Sequence, residues 1–147
     1  MQSTIAQPAV IDKIAEAIEA IEGVDCVNRL DNALSFRFDG IPIAAFLTNE
    51  DPQRLRFSVD LCALNCLPCV SSLDDEASMG EAMFNLLDIN TEIDPVAAAI
   101  DSTDAENPMV QARTTLRVVD LQSEEIVAEI KGLVGAVAQI HDVISQV

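Results

Sequence analysis

Tryptophan and tyrosine are absent from this chain, and five phenylalanines supply its only aromatic rings. Stacking on nucleic-acid bases is therefore nearly closed to it. A core in 147 residues has to be built from Ile, Val, Leu and Ala, which the 50% hydrophobic content allows. Basic residues are scarce too: 8 Lys and Arg stand against 25 Asp and Glu, a formal charge of -17. That balance repels phosphate backbones and anionic lipid, so nucleic acid and membrane surfaces are poor partners. It favours plain solubility or encounter with basic partners.

Other absences narrow the chemistry further. No run reaches the roughly 18 to 20 apolar residues of a membrane span. Met1 to Pro8 lacks the basic start and apolar stretch of a signal peptide, so a cytoplasmic protein without membrane insertion is expected. His141 is the single histidine, which excludes a multi-histidine metal site or a histidine relay. Neither a P-loop, a G-x-G-x-x-G nor a G-x-S-x-G occurs, so nucleotide binding and acyl hydrolysis lack their usual support. No cofactor and no catalytic residue is expected.

What is present has clear periodicity. Val10, Ile11, Ile14, Ile18 and Ile21 recur at helical spacing after Pro8, with Asp12, Lys13, Glu16, Glu19 and Glu22 between them and Gly23 as the stop. From Val24 the period becomes two. Strands are expected at Val24 to Leu30, Ala33 to Phe38, Ile41 to Leu47 and Arg54 to Leu61, the second and third joined by an Asp39-Gly40 turn. Short links make them an antiparallel meander.

Ser71 and Ser72, followed by Asp74, Asp75 and Glu76, read as a capped helix start. This helix is expected to finish near Asn90 and to carry Ala77, Met83, Phe84 and Leu87 inward, with Gly80 weakening it by about 1 kcal/mol. Two strands follow, Glu92 to Ile100 and Val110 to Val119, separated by the polar loop Asp101 to Pro108. Ser123-Glu124-Glu125 opens a last helix whose apolar stripe runs from Ile126 to Ile144. The fold class is α+β in a single domain over 1–147: helix, antiparallel strand meander, helix, two strands, long C-terminal helix.

This order resembles the type III secretion chaperone-like fold shared by secretion chaperones and the YbjN-like family of small bacterial proteins. The resemblance rests on Ala82 to Asn90, the stretch Pro95-Val-Ala-Ala-Ala-Ile-Asp101, and Leu116-Arg-Val-Val-Asp-Leu121 running into Glu124-Glu125. It covers nearly the whole chain as pattern. The chain departs from true secretion chaperones where Val96-Ala97 stands in place of a Gly-Gly. The resemblance implies an acidic cytosolic homodimer that binds extended or amphipathic segments of a client protein.

Cys62, Cys66 and Cys69 form C-x3-C-x2-C, a spacing that holds iron–sulfur clusters in other proteins, and Cys26 could add a fourth thiolate. The other reading is that these are reduced thiols used as small hydrophobes among Leu61, Ala63, Leu64 and Leu67. Cys66-Leu67-Pro68-Cys69 also has redox-like C-x-x-C spacing, without a strand-to-helix setting. Asp101 to Glu106 is acidic but lacks the glycine and spacing of an EF-hand. The leading expectation is a non-catalytic protein-binding domain of chaperone, adaptor or regulator type. Arg54, Arg56, Arg113 and Arg117 are the candidate partner contacts. The alternative is a small metal or iron–sulfur protein.

Overall fold

Alternating apolar and polar residues force a strand to present one face to a core, and the registers show how three strands here do so together. Leu34 pairs with Ala45 and Ala45 with Phe57, giving one buried row across the sheet. Leu47 opposite Leu55 and Phe36 opposite Ile43 add to the same face. Arg37, Ala44 and Ser58 point the other way. The structure is a computed structural model. It describes residues 2–67, 70–93 and 96–144, with side chains at 2–9, 91–93 and 143–144 left out of the description.

The elements run α1 (Gln2–Glu19), β1 (Val24–Arg29), β2 (Ala33–Phe38), β3 (Ile41–Leu47), β4 (Arg54–Ala63), a short 3-10 turn (Leu64–Cys66), α2 (Glu76–Ile93), β5 (Ala97–Asp101), β6 (Met109–Arg117) and α3 (Ser123–Ile144). The strands form one six-stranded sheet in the order β1-β2-β3-β4-β6-β5. The chain divides into two compact units, Met1–Ser58 with Thr115–Lys131 and Val59–Thr114 with Gly132–Val147, so β4, β6 and α3 each contribute to both.

In the first unit Ile11, Ile14, Ala15 and Ile18 of α1, and Ile126 and Ile130 of α3, are buried along with the inner rows of β2, β3 and β4. Arg29 on β1 reaches α1 at two points, Asp12 and Glu19, each at 3.1 Å. α1 extends before Pro8, further than its periodicity indicated, and ends at Glu19. Gly23 therefore lies beyond the helix, in the turn into β1. It adopts φ +95, a left-handed conformation that glycine alone takes without strain, so the turn needs glycine for its conformation.

In the second unit Val59, Leu64, Ala82, Leu86, Ile89, Val110, Ala112, Leu133 and Ile140 are buried. The strand expected over Glu92 to Ile100 starts at Ala97, because α2 continues through Ile93. Pro95, part of that expectation, lies outside the described residues. Strands β2 and β3 have the bounds their alternation indicated, and β4 runs two residues longer, through Cys62 and Ala63.

Candidate protein-binding surfaces

Helix α2 starts on Asp75. One carboxylate oxygen, Oδ1, accepts the Ala77 N–H at 3.2 Å, which satisfies a helix-end donor. The other, Oδ2, accepts the Ser71 hydroxyl at 2.8 Å. That hydroxyl, first of all, and the helix-end N–H groups hold the Asp75 carboxyl below the ordinary carboxylate value. Ser71 thus supports the cap instead of forming it, a correction to the sequence reading.

The side of α2 that faces in is the opposite of the one expected from its sequence. Ala82, Leu86 and Ile89 are buried, whereas Met83, Phe84 and Leu87 are 47%, 70% and 67% exposed. These three residues, at spacings of three and four, share one face with Ala77 and Gly80, which are also exposed. Nothing lies within 4 Å of a Cβ built on Gly80. The residues expected inside are an apolar surface of a solvent-facing helix. The rim is acidic, with Glu76, Glu81 and Asp88 exposed.

The four candidate arginines do not act alike. Arg54 and Arg117 are exposed and Arg56 half-buried, all on the open face of the sheet in the first unit. The Arg56 guanidinium stands 5.5 Å from the Phe46 ring centroid, a cation–π contact. Arg113 belongs to a network in the second unit: its Nε donates to Gln111 Oε1 at 2.9 Å, and Gln111 Nε2 donates to Asp60 Oδ1 at 2.6 Å and Asp101 Oδ2 at 3.5 Å.

Of the cysteines, Cys26 and Cys66 are exposed and Cys62 is half-buried, all as free thiols. Burial first, then the neighbouring Cys66, pushes the Cys62 thiol pKa up. Cys69 lies outside the described residues. Among the described residues no group of three or more His, Cys, Asp or Glu side chains is placed to hold a metal ion. The acidic loop after β5 uses its carboxylates locally: Asp101 Oδ1 accepts from Thr103 N–H and hydroxyl, and Asp104 Oδ1 from Glu106 N–H. His141 is exposed in the last turn of α3.

Two open grooves lie in the first unit. One of about 360 Å³ has Val10, Ile14, Ala17, Val118, Leu121 and Ile126 in its lining, and one of about 850 Å³ runs between α1 and the start of α3 over Ala20, Ile21, Val127 and Ala128. Every buried side-chain nitrogen and oxygen among the described residues has a hydrogen-bond partner, so none is held open toward a ligand. No helix among the described residues is long and apolar enough to cross a membrane.

YbjN from E. coli superposes on this chain with a TM-score of 0.60 at 16% identity, over 92% of this chain and 89% of its own. The fold is the YbjN-like α+β fold. An uncharacterized protein from Methanothermobacter thermautotrophicus shares it at a TM-score of 0.60 and 10% identity, covering 93% and 97% of the two chains. A chain of the ExsC–ExsE complex is similar at a TM-score of 0.49 and 16% identity, covering 91% of this chain and 90% of that one. No protein-family model and no curated protein sequence matches.

The sequence did hold a signal for the exposed face of this YbjN-like fold. Ala82, Leu86 and Ile89, spaced four and three apart, already make a complete inner stripe. Met83, Phe84 and Leu87 are a second stripe that the helix does not need for its own packing.

Proposed function

We propose that the protein is a non-catalytic binding domain of chaperone, adaptor or regulator type, working in the cytoplasm as a homodimer and engaging an extended or amphipathic segment of a protein partner. One observation carries this reading: the outward apolar face of α2, formed by Met83, Phe84 and Leu87. Large apolar side chains grouped on one exposed face mark interaction sites, because leaving them in water forgoes about 25 cal/mol per Å² of burial. Helix faces with anchors at these spacings are a recurring mode of protein recognition.

E. coli YbjN is described as a candidate transcription regulator. A regulatory role for this chain would run through protein contacts, since a net charge of -17 opposes DNA. The test is the double variant F84D/L87D, compared with wild type by native mass spectrometry and by crosslinking in native lysate, with circular dichroism as the folding control. The expected result is a folded protein that has lost its dimer or its crosslinks at α2. A folded variant with unchanged oligomeric state and unchanged crosslinks overturns the reading.

A further inference from the structure

Basic residues are segregated in this chain. All six arginines, Arg29, Arg37, Arg54, Arg56, Arg113 and Arg117, fall on strands, and both lysines, Lys13 and Lys131, on helices. In the first unit, the open sheet face carries Arg37, Arg54, Arg56 and Arg117. Arg37 is already tied to Asp25 at 2.8 Å. Arg54, Arg56 and Arg117 form no ion pair among the described residues.

The backbone brings two of these charges together. Val118 donates its N–H to the Gln53 carbonyl at 3.2 Å, so Arg117 and Arg54, the next residues along each strand, are cross-strand neighbours. Like charges opposite one another weaken a sheet. Among the described residues no acidic side chain forms an ion pair with either member of this pair.

The surroundings suit a flat ligand. Ala44 and Ser58, paired in register on this face, are small and leave little relief. Arg54 and Arg56 are two residues apart on one strand, about 7 Å at ~3.3 Å per residue. Alternate carboxylates of an extended peptide have the same spacing. Guanidinium groups take carboxylates in a bidentate way that lysine cannot reproduce.

We propose that this face docks an extended acidic segment of a partner protein, with Arg54, Arg56 and Arg117 receiving its carboxylates. The proposal rests on the protein-binding reading and adds a second surface with chemistry opposite to that of α2. A short segment with two or three carboxylates needs only the local field, since charges beyond ~8 Å are screened at physiological salt. A nucleic acid, with a phosphate per ~1.7 Å of duplex, meets the repulsion of the whole chain.

The probe is a fluorescein-labelled (Glu-Ser)4 peptide, read by anisotropy with the full chain at physiological salt, where the distant acidic charges are screened. Wild type is expected to bind it saturably, R54Q/R56Q/R117Q to lose at least tenfold in affinity while melting no lower than wild type, and F84D/L87D to bind as wild type does. R54K/R56K/R117K, which keeps the charge, is expected to bind at least threefold more weakly than wild type. Absence of saturable binding, an affinity unchanged in the glutamine variant, or tighter binding of a ten-nucleotide oligothymidylate overturns the proposal. Because F84D/L87D leaves this face intact, loss of peptide binding and loss of the α2 contacts are separate results.

Discussion

Asn90 holds the backbone of Ala98 from both sides: its Oδ1 accepts the Ala98 N–H at 2.6 Å and its Nδ2 donates to the Ala98 carbonyl at 3.3 Å. A side-chain amide here imitates a neighbouring strand. β5 is an edge of the sheet, and exposed edges invite strand addition. At Ala98 the donor and acceptor are already taken, so a client adding as a strand is opposed at this edge. Asn90→Ala is expected to cost about 1–3 kcal/mol, by denaturant unfolding, because it leaves backbone groups unpaired beside a buried residue. It should also raise amide exchange at Ala98, and unchanged exchange there would remove the edge-blocking role.

Leu86 and Leu87 are adjacent in sequence and opposite in environment, at 4% and 67% exposure. Leu86→Ala is expected to destabilise by about 2–5 kcal/mol through a cavity. Leu87→Ala should stay within about 0.5 kcal/mol in the isolated chain. Urea unfolding of both variants tests which face of α2 is inside, and equal losses would contradict the orientation.

The Asp75 cap gives stability a pH dependence of definite sign. Its folded pKa lies below the ordinary value of 3.8, so its contribution is complete above that value and disappears as pH falls through the folded pKa. Asp75→Asn should therefore melt slightly lower than wild type near neutrality, with the difference closing in acid. A melting difference that grows on acidification would assign the effect to something other than this carboxylate.

Thiol reactivity should separate the cysteines. Cys26 and Cys66 are exposed, whereas Cys62 is half-buried with its pKa pushed up by that burial and by Cys66. Iodoacetamide labelling near pH 8, followed by peptide mapping, should modify Cys26 and Cys66 first and Cys62 several-fold more slowly. Cys62 reacting as fast as Cys66 would show that burial does not protect it.

The pattern of local periods settles much of the architecture without any tertiary contact. The alternation Leu34, Phe36, Phe38 with Ser35 and Arg37 gave β2 its bounds, and the Asp39-Gly40 turn joined it to β3, because strand period and turn chemistry are properties of neighbouring residues. Ser123-Glu124-Glu125 and the stripe that follows likewise marked α3. The same alternation sets Arg54 and Arg56 on one face of β4 and Arg113 and Arg117 on one face of β6.

The tertiary structure decided what local period leaves degenerate. α2 carries two apolar stripes, and only packing in its unit chose Ala82, Leu86 and Ile89 for the core, turning Met83, Phe84 and Leu87 to solvent. The helix continued past Asn90, so that this side chain met Ala98 eight residues later. Arg54 and Arg117 stand side by side, with no ion pair to either among the described residues, because strand order is a long-range property. Sequence alone determined which residues could form each face, and tertiary packing determined which face was left exposed.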